Sequence, residues 1–299
     1  MWDPVRDEIS YKAVLNFSNK KHGQRTLSNL TKEEVPKCLP ETLTKRLVLQ
    51  QVMGIYDPLG FIAPFTLLAR VLLRETWQLG LDWDDPLPPS SHKQWTKYFK
   101  DMFLIENLAF PRCLRPAHCF SNPWLLLLSD GSSLAYGCAA YLRWQLPDDS
   151  VKVSLIMSKC RIAPLHQVSI PRMELNGAVL SKRMRVCIEK EMRFTFERII
   201  HLVDSETVLN MIHKTSCRFN VYEGVRLEEI QAATKTSEWA WMPGEKNISD
   251  WLTRGRHPQD LNSSTMWFMG PPMFQLPLEQ WDVKSGKTSD KLLPEEKGC

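Results

Sequence analysis

The chain has no apolar run long enough to cross a bilayer. Its most apolar stretch, Gly60 to Leu73, is interrupted by Pro64 and Arg70 and falls short of the roughly 20 residues a spanning helix needs. A secretory leader is missing too: the N-terminus, Met1-Trp-Asp-Pro-Val-Arg-Asp-Glu, is charged from its third residue and has no apolar core. These two absences argue against membrane and secretion, so the expected location is intracellular, cytoplasmic or nuclear. Paired cysteines are lacking as well. The eight cysteines (Cys38, Cys113, Cys119, Cys138, Cys160, Cys187, Cys217 and Cys299) include no C-x-x-C pair. Cys113, His118 and Cys119 make one metal-like grouping without a second half, so reduced thiols are expected there in preference to zinc. Nor is there a strong charge bias, internal repeat or low-complexity segment. A net charge of +4 with 24% charged residues permits nucleic-acid binding without arguing for it.

What is present can build a sizeable core: 299 residues, 43% of them hydrophobic, enough for about two domains. Residues 1–42 combine a strand-like stretch, Ile9 to Phe17, with a polar segment over Asn19 to Lys37, as an edge hairpin or linker would. From 43 to 115 the texture is helical. Leu47, Leu49, Val52 and Met53 recur at helical spacing before the Tyr56-Asp-Pro-Leu-Gly60 turn, and further helices are predicted over Pro64 to Leu79 and Ser91 to Leu108. Residues 122–258 read as α/β. Trp124 to Ser129, Leu134 to Trp144 and Val151 to Lys159 are three consecutive strands, the last two joined by Pro147-Asp-Asp-Ser150. A helix over Arg172 to Arg193 follows, then a strand (Ile199 to Val203), two helices (Glu206 to His213 and Val221 to Thr234), a strand (Glu238 to Met242) and a last short helix. That order makes a mixed five-stranded sheet with helices on its faces. Residues 259–299 form a Pro- and Lys-rich tail, expected to be loosely packed at its end.

Four carboxylates carry most of the functional information. Asp130 ends the run Trp124-Leu-Leu-Leu-Leu-Ser-Asp130 and precedes Gly131-Ser132-Ser133; Asp204 ends Arg198-Ile-Ile-His-Leu-Val-Asp204. Glu174, in Ser169-Ile-Pro-Arg-Met-Glu174-Leu, and Asp250, in Asn247-Ile-Ser-Asp250-Trp-Leu-Thr-Arg-Gly255, each sit at the start of a helical pattern. Taken singly, each has an ordinary structural reading as a strand-end turn, a cap or a first-turn acid favoured by the helix dipole. Glu206 is assigned to that ordinary class. Acids at the ends of adjacent strands and the first turns of nearby helices can converge, and such a cluster implies bound divalent metal, as in a two-metal nuclease. The basic residues of the long helix (Lys182, Arg183, Arg185, Lys190 and Arg193) are expected to form a solvated face, and Trp239, Trp241, Trp251 and Trp267 to serve packing.

This succession resembles the ribonuclease H domain of retroelement Pol polyproteins. Tyr56-Asp-Pro-Leu-Gly-Phe-Ile-Ala-Pro64, Leu81-Asp-Trp-Asp-Asp85, Ser158-Lys-Cys-Arg-Ile-Ala-Pro-Leu165, Ser169-Ile-Pro-Arg-Met-Glu-Leu175 and Asn247-Ile-Ser-Asp-Trp-Leu-Thr-Arg-Gly255 are similar to the BEL/Pao class of long-terminal-repeat retrotransposons, also catalogued as a Pao-type peptidase. The resemblance implies an α/β, RNase H-like fold behind a small thumb/connection-like helical unit. Residues 1–42 then look like the end of a reverse-transcriptase palm, and the tail, with Trp267-Phe-Met-Gly-Pro271, like the lead into an integrase. The palm's paired-Asp motif and the integrase core are missing, so a piece of Pol is expected, with the other reverse transcriptase and integrase portions as candidate partners.

The same resemblance implies hydrolysis of the RNA strand of an RNA–DNA hybrid with two Mg²⁺ ions, for which Mn²⁺ can substitute. Asp130 would bridge both ions, Glu174 and Asp204 would bind the ion near the leaving group, and Asp250 would complete the nucleophile's site. Gly131 would let the backbone approach the substrate, and Ser132 would contact a phosphate or 2′-hydroxyl. One departure is that the loop Pro243-Gly-Glu-Lys-Asn247 lacks the histidine many ribonucleases H carry there; His213 and His257 flank it, and Glu245 or Lys246 is the available substitute. A retroviral-type aspartic peptidase is the weaker alternative, because its Asp-Ser/Thr-Gly loop is absent and Asp130-Gly-Ser132 has the order reversed. A catalytically silent remnant that binds nucleic acid or a partner is the other.

Overall fold

The computed structural model describes residues 1–285 apart from positions 19, 22, 23, 26, 27, 118 and 120, with 20, 21, 24 and 25 described by backbone alone. His118 and Cys299 therefore lie outside the described residues. In chain order the elements are β1 (Trp2–Asp3), β2 (Glu8–Ser10), β3 (Lys20–Lys21), β4 (Gln24–Arg25), α1 (Val35–Cys38), α2 (Lys45–Val52), α3 (Ala63–Gln78), α4 (Pro89–Met102), β5 (Ala109–Pro111), β6 (Trp124–Gly131), β7 (Ala135–Gln145), β8 (Val151–Ile162), α5 (Ile170–Glu191), β9 (Arg198–Val203), α6 (Glu206–His213), α7 (Val221–Gln231), β10 (Trp239–Trp241), α8 (Trp251–Arg254), α9 (Met266–Met269) and β11 (Lys284–Ser285).

The main sheet has the order β11-β10-β9-β6-β7-β8. β6, β7 and β8 form an antiparallel meander, whereas β9 runs parallel to β6 and β10 parallel to β9. The apolar run Leu125–Leu128 explains why β6 is central. Leu125 and Leu127 pack with Leu180, Met184 and Ile188 of α5 on one face, while Leu126 and Leu128 join a core on the other. That second core contains Phe65, Leu67 and Trp95 from the N-terminal helices together with Trp267 and Phe274 from the C-terminal segment. A third cluster joins α5, α6 and α7 through Leu175, Leu209, Phe219, Leu227 and Ile230. Helices therefore cover both faces of a mixed sheet.

Three details differ from the sequence expectation. The sheet has six strands, not five, because β11 adds an antiparallel pair to β10; two residues are too few to show a periodic signal. The helix predicted to reach Leu108 ends at Met102 and tightens into a 3₁₀ segment over Phe103–Asn107. The strand predicted over Ile9 to Phe17 ends at Ser10. Its alternation is real, since Tyr11, Ala13 and Leu15 are buried and Lys12 and Val14 exposed. Side chains, however, take the place of a partner strand: the Ala13 N–H donates to Glu106 Oε1 at 3.0 Å, and Gln51 bonds both the N–H and the C=O of Asn16 at 2.9 and 3.0 Å.

The tail is firmly packed as far as Trp281. Trp267 donates from Nε1 to the Phe61 carbonyl at 2.7 Å, and its own carbonyl accepts from Tyr141 Oη at 2.8 Å. The Arg143 guanidinium holds the Phe274 and Leu276 carbonyls at 2.8 and 3.1 Å. The seven described cysteines are all free thiols. Among the described residues no helix is long and apolar enough to cross a membrane.

Candidate functional site

Asp130 and Asp204 emerge side by side because β6 and β9 are parallel neighbours that end at the same edge of the sheet, with Ser129 in register with Val203. Glu174 is delivered by close helix–strand contact. A Cβ at Gly131 would lie 2.4 Å from the Glu174 nitrogen, and one at Gly177 would lie 2.7 Å from the Asp130 carbonyl oxygen. Only glycine at both positions lets the start of α5 lie on the end of β6. Asp250 arrives on the 3₁₀ turn Ile248–Asp250, which leads into α8. α8 docks where Gly137 of β7 leaves room for Leu252, since a Cβ at 137 would meet Leu252 Cβ at 2.5 Å.

All four sequence-predicted carboxylates line one open cleft of about 760 Å³, together with Gly131, Ser132, Gly244 and Thr253. Thr253 Oγ1 donates to Asp130 Oδ2 at 2.5 Å, and the Gly131 N–H donates to Asp130 Oδ1 at 2.7 Å. Ser205 beside Glu174 and Asn247 beside Asp204 favour the charged forms of those acids, while the Asn247 amide itself donates to the Ser129 carbonyl at 3.1 Å. Arg254 forms an ion pair with Asp250 one helical turn earlier.

Burial is the main cause that lifts the titration of three of these acids, and mutual repulsion adds to it. Glu174 is pushed up to about 7, with Asp204 and Asp130 as repelling neighbours. Asp204 is pushed up to about 6, with Asp130 and then Asp250 opposing its charge. Asp130 also lies above the ordinary carboxylate range, against the lowering effect of its Thr253 and Gly131 donors. A partly desolvated group of hard oxygen ligands that repel one another suits a divalent cation such as Mg²⁺. As placed, no three His, Cys, Asp or Glu side chains among the described residues close round a single point. Thr253 and Arg254 already engage Asp130 and Asp250, and a cation in the cleft would compete with both contacts.

Gly131 and Ser132, which line the cleft, also hold the local structure together. The room beside Gly131 is filled by the Met173–Glu174 backbone, so its missing side chain serves helix docking. Ser132 ties the β6–β7 turn, donating to the Ala135 and Thr253 carbonyls at 3.3 Å each. Asn247 and Thr253, which sequence reasoning passed over, lie within the Asn247–Gly255 motif. Thr253 is three residues past Asp250, a spacing that brings its hydroxyl within 3.0 Å of the Asp250 carbonyl, whereas the acid it serves, Asp130, lies in another element. Gly177 left no signal beyond an isolated glycine inside a helical pattern.

The loop over residues 243–247 passes directly beside Asp204, where a Cβ at Gly244 would stand 3.5 Å from Oδ2. No histidine among the described residues lines the cleft. His257 pairs with Asp101 at 3.5 Å, and His213 ends α6. Two cations of α5 are tied into the protein: Arg183 grips Glu229 through two bonds of 2.7 Å, and Arg185 reaches Glu189 and Glu238. Trp239 and Trp267 are buried. Cys113 and Cys119 point to carbonyl oxygens, Cys113 to that of Arg115 and Cys119 to that of Gln145.

The meander followed by two parallel strands, with helices on both faces, gives this mixed α/β chain an RNase H-like architecture. A family described as the Pao retrotransposon-like RNaseH-like domain matches residues 44–205, more than half of the chain, and the chain belongs to that family. Among solved structures, one that matches is the N-terminal RNase H domain of rv2228c from Mycobacterium tuberculosis, in a fusion with maltose-binding protein. It shares 15% identity over 42% of this chain and 86% of that one, with a TM-score of 0.28. A likeness of that size carries no argument beside the strand order and the family match. No curated protein matches the chain.

Proposed function

We propose that this chain is a metal-dependent endoribonuclease that cuts the RNA strand of RNA–DNA hybrids, with Asp130, Glu174, Asp204 and Asp250 as its metal-binding and catalytic carboxylates. The observation that carries the reading is the convergence on one cleft of four acids from four separate elements, spread over 120 residues of sequence. When bound there, two Mg²⁺ or Mn²⁺ ions would supply an activated water and charge neutralisation at the leaving oxygen. The chain's own groups set the geometry. Thr253 and the Gly131 N–H fix the Asp130 carboxylate, and Ser205 beside Glu174 and Asn247 beside Asp204 favour the charged forms of those acids. Selection of a hybrid would rest on A-form-like shape and 2′-hydroxyls, with little base readout.

The second reading, a silent remnant that binds nucleic acid without cutting, draws on the engagement of Asp130 by Thr253 and of Asp250 by Arg254. One experiment separates the two. Purified protein is given a labelled RNA–DNA hybrid with Mg²⁺ or Mn²⁺, beside an Asp204→Asn control. Metal-dependent cutting of the RNA strand alone, abolished by the substitution, is the expected result. A folded protein that binds the hybrid and cuts nothing overturns the enzyme and leaves the remnant.

A further inference from the structure

A second cavity, of about 610 Å³, lies next to the acid cleft and shares Gly244 and Asp250 with it. One side is the loop that leads into α8, and the other is the C-terminal segment. Trp251, Met266, Met273 and Leu276 give it apolar walls, and Lys246 and Arg256 stand among them. Lys246 pairs with Asp282 at 2.9 Å, which fastens the tail across the cavity to the loop. The Arg256 guanidinium sits 4.9 Å from the centre of the Trp251 ring.

We propose that this cavity takes an unpaired nucleobase of the strand held in the acid cleft. The proposal rests on the nucleic-acid reading above and adds a substrate preference to it: hybrids that carry an unpaired nucleotide beside the cleavage position. Three observations support it. The cavity and the cleft share Gly244 and Asp250, so a strand whose phosphates lie along the acids runs beside it. Its size falls within the roughly 300–1,000 Å³ of ordinary small-ligand pockets. Its surfaces are those on which bases stack, an indole and a guanidinium, backed by thioether and branched aliphatic side chains. An unpaired base enters at the smallest cost in lost stacking and pairing.

The test uses the full chain and an RNA–DNA hybrid with 5-iodouridine as a single unpaired terminal nucleotide of the RNA. The complex is irradiated in Ca²⁺, and the adduct is mapped by mass spectrometry. The expected adduct falls within residues 244–280. Leu276→Trp, which fills the cavity from a position 41% exposed, is expected to lower the adduct yield at least tenfold. It should also remove any binding preference for this hybrid over a fully paired one. Met266→Trp, 45% exposed, repeats the test from another wall, and thermal melting checks that both variants fold. An adduct elsewhere, or an unchanged yield in both folded variants, overturns the proposal. Cross-linking at the tail without Mg²⁺-dependent cutting would leave the pocket standing and sink the nuclease. Cutting without the adduct would do the reverse, and failure to bind any hybrid would overturn both.

Discussion

Gly177 of α5 lies against Asp130 of β6 so closely that a methyl group at 177 would come within 2.7 Å of the Asp130 carbonyl oxygen. In an exposed helix, replacing glycine by alanine stabilises by about 0.5–1 kcal/mol. Here steric overlap wins, and Gly177→Ala is expected to destabilise by about 1–3 kcal/mol in urea unfolding. Gly131→Ala should cost more, because its Cβ would meet Met173 backbone carbon at 2.3 Å. Both substitutions push α5 from the strand end and should reduce any Mg²⁺ response. Stabilisation by either would show that α5 does not dock as described.

Asp204 and Glu174 make the cation-free protein lose stability as pH rises from about 4 to about 7. Folding raises Asp204 from 3.8 to about 6 and Glu174 from 4.5 to about 7. A raised carboxyl pKa contributes stability that is full below the unfolded value and lost as pH rises through the folded one. At pH 8 that contribution is gone, so Asp204→Asn is expected to stabilise the cation-free protein by about 3 kcal/mol. Mg²⁺ or Mn²⁺ should raise the melting temperature of the wild type by ligand linkage and raise that of the variant far less. Equal shifts in both would place the cation elsewhere.

How much of this was legible in the sequence depends on how far each interaction reaches along the chain. The unbroken run Leu125–Leu128 announced a strand buried on both faces, and each of the four acids stood at the end of a readable element. Their convergence was foreseen from pattern and resemblance, not from contact. What brings Glu174 to Asp130 is a pair of glycines whose partners lie more than 40 residues away, and no local periodicity encodes that. The alternation over residues 11–17 gave correct burial and the wrong hydrogen bonds, because the partners of that backbone include the side chains of Gln51 and Glu106 and the Leu30 N–H, and no strand among the described residues. The expectation for Ser132 followed from its place beside Asp130. Its bonds to Ala135 and Thr253 appear only when the turn is folded.

His201 is the buried group most exposed to acid. It is fully buried, stacked 4.2 Å from Trp239, with Nδ1 bonded to Ser181 Oγ at 2.7 Å and no hydrogen-bond partner for Nε2. Burial first, and the charge of Arg185 second, depress its pKa from 6.5 to about 3. A depressed histidine keeps its stability above the unfolded value and loses it as pH falls from 6.5 toward 3, which amounts to about 2 kcal/mol by pH 5. The raised carboxyls change in the opposite sense, so the test is a difference. The stability gap between wild type and His201→Gln should narrow by about 2 kcal/mol from pH 7 to pH 5. A gap that stays constant would mean that the imidazole charges without penalty.

Trp267 decides whether the C-terminal segment is part of the fold or an appendage. Its ring is fully buried, lies nearly parallel to that of Trp251 at 6.1 Å, and donates to Phe61 in the N-terminal helical region. Its carbonyl accepts from Tyr141 in the sheet. Three regions distant in sequence thus meet on one residue, and a cavity there cannot collapse without moving all three. Trp267→Ala is therefore expected to cost about 3–5 kcal/mol in one cooperative unfolding transition. Trp251→Ala, at a partly exposed ring, should cost less. If Trp267→Ala costs under about 1 kcal/mol, or splits unfolding into two transitions, the tail does not hold helices and sheet together. The cavity it closes beside the acids would then lose its fixed wall.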